Sequence, residues 1–272
     1  MSKRAWFVVA LTALAATAAM LPPPIAQPLR YHDFADHRAL FGIANFGDVA
    51  SNFAFLVAGV AGVVIVFGRR DAFEQPIERW PYATFFVGLM LTAIGSAYYH
   101  SAPDNARLFW DRLPMTVAFA GLVCGQVADR VSVRAGTSLL LPAIAVGAIS
   151  VFYWRASEEG GHGNLVPYGV VQAYAMILLV FVAMLWPSRY TRGREMLYVF
   201  GWYALAKICE ALDRQVFDVL HVISGHTLKH LFAALAGFAA CAMLAMRVRL
   251  FPDATAVVQS RAAVTNPASI PR

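Results

Sequence analysis

Residues 48–68 read DVASNFAFLVAGVAGVVIVFG, and after Asp48 this stretch contains no charged residue. Its length matches the roughly 20 apolar residues that an α-helix needs to cross a bilayer. The run is too long and too continuous for the alternating segments of about ten residues that build a closed β-barrel. An α-helix is therefore the structure that can satisfy its backbone in lipid, and the stretch predicts a transmembrane helix.

Seven further apolar runs follow the same pattern. Of the 272 residues, 59% are hydrophobic and only 14% are charged, whereas soluble proteins carry about 25% charged residues. The sequence thus predicts an all-α, polytopic membrane helix bundle without a separate soluble domain. The eight predicted spans cover approximately residues 5–22, 48–68, 81–100, 109–127, 136–154, 167–186, 196–213 and 226–247.

The first run is predicted to be an extra helix, in residues 1–30, ahead of a seven-helix domain in residues 31–248. A basic start and the stop at Pro22-Pro23-Pro24 resemble a signal peptide. The run is nevertheless long for a signal sequence and lacks a small-x-small cleavage site, so a retained transmembrane helix is favoured. Residues 249–272 show no periodicity and are predicted to be a disordered tail.

Lys and Arg residues predict the orientation, because cytoplasmic loops of membrane proteins are enriched in them. With both termini in the cytoplasm, twelve of these residues lie inside near the helix ends and six lie outside. The net charge of +6 therefore reflects topology, and no nucleic-acid partner is expected. The inside set is Lys3, Arg4, Arg69, Arg70, Arg79, Arg130, Arg134, Arg189, Arg192, Arg194, Arg247 and Arg249, and the outside set is Arg30, Arg38, Arg107, Arg112, Arg155 and Arg214.

Three histidines are predicted to meet at the extracytoplasmic face. His226 and His230 are spaced i, i+4 at the start of the last helix, so they share one helix face. His100 ends the third predicted helix, which reaches the same membrane face. Three histidines with one open position form the ligand set of a catalytic zinc ion. The alternative is a group of interfacial histidines without a metal.

Ser96 and Asp111 are the predicted catalytic side chains beside this zinc site. Ser96 shares a helix face with His100, and Asp111 returns to the same depth after a short connection. Asp111 is expected to activate water as a general base, and Ser96 to donate to a developing oxyanion. Alternatively, Asp111 is a helix-start carboxylate favoured by the helix dipole.

Other polar groups suggest further roles. Hard oxygen ligands before the first core helix predict a calcium site, although two of them could instead cap that helix. The seventh predicted helix carries charged residues that indicate an ion-pair network or, alternatively, a proton relay. The predicted calcium ligands are Asp33, Asp36, Asn45 and Asp48. The predicted ion-pair network consists of Lys207, Glu210 and Asp213. The remaining histidines, His32, His37, His162 and His221, are predicted to be solvated.

These motifs together resemble the alkaline ceramidases. The resemblance rests on Ser96-x3-His100, on FWDRLPM at residues 109–115, on His226-x3-His230, and on DVASN at residues 48–52. It spans about residues 31–248. The alkaline ceramidases belong to a superfamily of seven-helix membrane hydrolases that also includes adiponectin and progestin receptors and hemolysin III-like proteins.

The resemblance implies zinc on His100, His226 and His230, and hydrolysis of the amide of ceramide-like N-acyl lipids to a fatty acid and a sphingoid base. It implies that Asp111 activates water and that Ser96 supports the oxyanion. The calcium loop of the ceramidases is matched here only in degraded form by residues 33–36. Alternatives are a hydrolase of other lipids, a receptor or sensor with the same fold, and a proton-coupled transporter. The expected partners are the bilayer and a lipid substrate, with no obligate protein partner.

Overall fold

The computed structural model describes residues 3–250, which are almost entirely helical outside short connections. In this part of the chain there is no β-strand, apart from the isolated bridges Leu40–Ile43 and Tyr190–Arg249. The α-helices are α1 (Lys3–Met20), α2 (Phe46–Ser51), α3 (Phe53–Gly68), α4 (Arg79–Ser101), α5 (Asn105–Arg130), α6 (Val133–Glu159), α7 (Val166–Leu185), α8 (Met196–Ala211), α9 (Asp213–Leu220) and α10 (Gly225–Met246).

Within residues 3–250, five helical segments are long and apolar enough to cross a membrane. These segments are Phe46–Gly68, Pro76–Ser101, Val133–Glu159, Val166–Leu185 and Gly225–Met246. The first combines α2 and α3 into one span. Helices α5 and α8 pack among these spans, and α1 packs against α7 as an additional helix. The prediction of an all-α membrane bundle is therefore confirmed.

The contact between α4 and α5 depends on small residues that let the two backbones approach each other. A Cβ added at Gly95 would lie 1.9 Å from the carbonyl oxygen of Trp110, and one added at Gly88 would lie 2.6 Å from the amide nitrogen of Ala118. Only glycine fits at such distances. This close approach places the end of α4 directly beside the start of α5.

A buried ion pair holds the opposite end of the bundle. The Arg247 guanidinium lies 2.5 Å from an Asp129 carboxylate oxygen, and Tyr82 donates a hydrogen bond of 2.5 Å to the same carboxylate. The rings of Tyr190 and Phe73 also face the guanidinium, with centroids 4.1 and 4.6 Å away. The end of α10 is thus fixed against α4 and α5 without exposing either charge to lipid.

Two predicted boundaries differ from the structure. The seventh predicted run, 196–213, divides into α8 and the separate helix α9, so Asp213 begins a new helix instead of continuing that of Lys207. The predicted tail starts too early, because the Leu250 amide donates to the Arg189 carbonyl over 2.9 Å. Residues 251–272 of that tail lie outside the described residues.

We expect Gly95→Ala to lower the thermal unfolding midpoint of the detergent-purified protein, because the added methyl group must separate α4 from α5. Overpacking of this kind costs about 1–3 kcal/mol. Gly201→Ala in α8 is the matched control, since a Cβ there meets nothing within 4 Å. Equal midpoints for the two variants would contradict the role of Gly95.

Candidate metal centre

Three histidine side chains converge at one end of the bundle. The ring centroids lie 4.7 Å apart for His100 and His226, and 4.9 Å apart for the two pairs that include His230. One nitrogen from each ring lies within 4.8 Å of the other two, and all three side chains are buried. This arrangement can hold a metal ion.

The start of α10 is fixed by polar groups, which positions His226 and His230. Ser224 caps the helix by accepting a hydrogen bond of 2.9 Å from the Thr227 amide. The Asp213 carboxylate accepts a hydrogen bond of 2.7 Å from the His226 amide and another of 2.9 Å from the Ala35 amide. Asp213 therefore ties the first turn of α10 to the loop that follows α1.

Several imidazole nitrogens in this centre have no protein partner. Both ring nitrogens of His100 and Nε2 of His230 are buried without a hydrogen bond. Buried polar atoms are rarely left unpaired, since each costs free energy comparable to a lost hydrogen bond. A metal ion would satisfy one nitrogen on each ring, so the donor set fits a metal.

Two side chains from the start of the first core span support the ligands. Ser51 Oγ lies 2.8 Å from His230 Nδ1, which leaves Nε2 of that ring available to a metal. Asn45 donates a hydrogen bond of 2.8 Å to the carbonyl oxygen of His100. Both partners orient the histidines without being ligands themselves.

The structure does not gather the four predicted calcium ligands around one point. Asp36 binds Arg38, whose hydrogen bonds hold the pKa of the Asp36 carboxyl below its usual range. Asp33 is exposed and pairs with Arg214 at 3.1 Å. Asp48 is buried and accepts a hydrogen bond of 2.6 Å from Thr227 Oγ1. Within residues 3–250, the acidic groups of this loop do not form a cluster that could hold an ion.

Asp111 and Ser96, the predicted catalytic side chains, lie on the neighbouring helices α5 and α4. Both are buried, and Ser96 interacts with the Asp111 carboxylate across the α4–α5 contact. Together with His230 they line a cavity of about 310 Å³. The rest of its wall is mostly apolar and includes Phe55, Phe85, Leu89, Leu122, Leu179 and Val199. The cavity therefore combines these polar groups with a mostly apolar wall.

The predicted ion-pair network is confirmed for two of its three members. Lys207 and Glu210 form an ion pair, and Glu210 also binds Lys229 at 3.1 Å. Lys229 Nζ in turn lies 3.2 Å from His226 Nε2. Asp213 does not take part, because its two oxygens accept backbone amide hydrogens instead.

The prediction of solvated histidines is correct for His37, His162 and His221, which are exposed. It is wrong for His32, which is half-buried. The two ring nitrogens of His32 each lie 2.9 Å from a hydrogen-bonding partner, Tyr99 Oη and Asn105 Oδ1. His32 thereby attaches the loop after α1 to the connection between α4 and α5.

Some supporting residues were not assigned a role from the sequence. Ser224 carries a detectable signal, since a serine just before a helix is a typical N-cap. The contact of Ser51 with His230 spans 179 residues and leaves no local pattern in the sequence.

No protein-family model matches this chain, and a search of curated proteins finds no significantly similar sequence. The function must therefore be argued from the site.

We expect the purified protein to bind one zinc ion per chain and His230→Ala to lose it, because two imidazoles alone hold zinc poorly. Ser51→Ala should keep the ligands but weaken affinity by about 10- to 100-fold. The readouts are metal analysis and competition with a chelator of known affinity. His162→Ala, at an exposed histidine, is the control and should bind zinc normally. Full zinc content in His230→Ala would rule out this centre.

Proposed function

We propose that the chain is a zinc-dependent amidase that hydrolyses ceramide-like N-acyl lipids within the membrane. One observation carries the proposal. Three buried histidines converge, two of them have unpartnered nitrogens, and His230 lines a mostly apolar cavity together with Asp111 and Ser96. Hydrolysis of a lipid amide requires a metal centre, a carboxylate and an apolar space close to one another.

Zinc is the metal that best suits three imidazole ligands with an open position. When bound, it supplies the Lewis acidity that polarises a carbonyl and acidifies water. His100 and His230 offer unpaired nitrogens for it. The third ligand, His226, follows from its place in the same cluster.

Asp111 is the group that would accept the proton from water, because it is the buried carboxylate that lines the cavity next to Ser96. Ser96 can donate its hydroxyl hydrogen either to Asp111 or to the carbonyl oxygen of the substrate as negative charge develops there. The proton held by Asp111 can then pass to the departing amine nitrogen. Each transfer uses side chains already in place.

The apolar part of the cavity supports an acyl-chain substrate. Its volume of about 310 Å³ lies near the lower end of the range for small-molecule sites. Aromatic and aliphatic side chains can hold a hydrocarbon chain there, while the amide faces the histidines. The resemblance to alkaline ceramidases favours a ceramide-like amide among N-acyl lipids.

We further propose that both termini face the cytoplasm, which places the histidines at the extracytoplasmic side. The end of the bundle away from the histidines carries the connections rich in basic residues, which favours its cytoplasmic location. The connection between α5 and α6 belongs to that end, and the connection between α6 and α7 belongs to the histidine end.

We expect the zinc-loaded protein to release fatty acid from ceramide, and Asp111→Asn to reduce release by a factor of at least about 100 while zinc remains bound, because proton transfer is lost. Ser96→Ala should reduce it by roughly tenfold to a thousandfold. Mass spectrometry of the released fatty acid is the readout. The control is Asp104→Asn, at an exposed N-cap, which should stay active.

The possible outcomes separate the candidate functions. Release from other N-acyl or ester lipids but not from ceramide would indicate a different lipid hydrolase. Zinc binding without turnover of any lipid would favour a receptor or sensor and would overturn the amidase proposal.

The orientation can be tested with single cysteines and a membrane-impermeant maleimide on intact cells. We expect labelling at Glu159→Cys, at the end of α6, and none at Val131→Cys between α5 and α6 until the cells are opened. The native cysteines are buried and should not react. The reverse labelling pattern would place the histidines on the cytoplasmic side.

A further inference from the structure

Arg112 is a buried cation without a carboxylate partner. Its side chain is 4% exposed, and the guanidinium carbon lies 4.3 Å from the centroid of the Trp154 ring and 4.8 Å from that of Tyr168. Nη2 donates a hydrogen bond of 2.6 Å to the Gln27 side-chain oxygen. Nη1 is buried and has no acceptor. Among residues 3–250, no carboxylate lies within ion-pair distance of this guanidinium.

An unpaired charge at this position is costly. Ionisable side chains inside membrane bundles normally pair with one another or line a path for a ligand. The aromatic faces around Arg112 stabilise its charge, but they cannot accept the hydrogen of Nη1. Arg247, the other buried arginine of residues 3–250, also has one nitrogen without an acceptor, Nη2, but it pairs directly with the Asp129 carboxylate. Within the described part of the chain, Arg112 therefore has no counter-ion.

Arg112 lines the same cavity as Asp111, Ser96 and His230. Tyr31, another residue of the cavity wall, has its ring centroid 5.5 Å from the guanidinium carbon of Arg112. The ionisable groups of the wall, apart from histidine and tyrosine, are the cations Arg112, Lys207 and Lys229 and the carboxylates Asp111 and Glu210. Three cations against two carboxylates leave one positive charge. Glu210 binds both lysines, so that group carries the excess charge, and Arg112 is distinguished instead by having no carboxylate within ion-pair distance.

We propose that the cavity takes an anionic N-acyl lipid, of the N-acyl amino acid class, whose carboxylate binds Arg112 Nη1. The carboxylate of such a lipid lies close to its amide, so one molecule can reach both Arg112 and the histidines, with its acyl chain along the apolar wall. A neutral ceramide would leave Arg112 unpaired. The anionic group thus defines which N-acyl lipids the proposed amidase would bind. The cleavage step itself rests on the proposed amidase function.

The reaction balances with water as the only co-reactant. The carbonyl carbon forms a bond to the water oxygen, and the carbon–nitrogen bond of the amide breaks. One water proton passes by way of Asp111 to the leaving nitrogen, and the products are a fatty acid and a free amino acid. Arg112 touches the carboxylate and not the amide, so it acts in binding and specificity.

The test compares binding of N-palmitoylglycine with that of its methyl ester, which differs only in charge and size at the carboxyl group. The protein is reconstituted in nanodiscs of phosphatidylcholine, and bound lipid is measured by native mass spectrometry within the first seconds and at low temperature. We expect the wild type to prefer the acid by about tenfold or more, as for loss of a charge-assisted hydrogen bond. Arg112→Gln should abolish the preference and Arg112→Lys should retain part of it.

Two controls locate the carboxylate. Arg30→Gln, at an exposed arginine one residue before Tyr31, should bind both lipids as the wild type does. The same comparison in His230→Ala removes a metal ligand. Persistence of the preference there supports binding at Arg112, and its loss assigns the carboxylate to the metal and overturns the proposal. This comparison does not require Arg112→Gln to fold.

The remaining outcomes are also decisive. Equal binding of acid and ester by the wild type, or an unchanged preference in folded Arg112→Gln, overturns the proposal. Binding is measured directly, so it can be scored separately from hydrolysis. If the amidase function is wrong, N-palmitoylglycine will bind but glycine will not be released. Release of glycine with a slower reaction on ceramide would support both proposals.

Discussion

A charged or polar side chain inside a membrane bundle must find its partner within the protein, because lipid offers none. This constraint governs both ends of the structure. At one end, Arg247 and Tyr82 both bind the Asp129 carboxylate and join α4, α5 and the end of α10. At the other end, Asp213, Ser224 and Thr227 fix the start of α10 by capping it and by binding the loops around it. The helices can present polar groups to one another only because these two ends are held.

The two ends differ in how their buried cations are paired. Arg247 has a carboxylate partner, whereas Arg112 has none within ion-pair distance, and His100 and His230 keep free nitrogens. Single unpaired atoms occur at both ends of the described residues, since Arg247 Nη2 and Asp129 Oδ1 also lack partners. The histidine end is therefore distinguished by three converging imidazole rings, and not by the presence of unpaired atoms alone.

The sequence predicts the positions of most helices, because long apolar runs form helices in lipid, although within residues 3–250 five helical segments, and not the predicted eight, are long and apolar enough to cross a membrane. It also places the histidines, since the i, i+4 spacing of His226 and His230 and the membrane face reached by His100 follow from helix geometry alone. It fails where a side chain binds a distant partner. Asp213 does not join the predicted ion-pair network, because its carboxylate accepts hydrogen bonds from backbone amides of α10 and of the loop before α2. His32 is buried for the same reason, since Tyr99 and Asn105 are brought to it by tertiary contacts.

The predicted calcium loop shows how similar residues can serve a different purpose. Its side chains act separately here: Asn45 holds the carbonyl of His100, Asp48 binds Thr227, and Asp36 binds Arg38, which also reaches the carbonyl oxygens of residues after α9. These contacts join the loop to α4, to α10 and to the segment between α9 and α10. The loop therefore fixes the relative positions of the histidine-bearing helices by direct hydrogen bonds. Arg112, which lies between the rings of Trp154 and Tyr168, is the group that we propose selects the substrate.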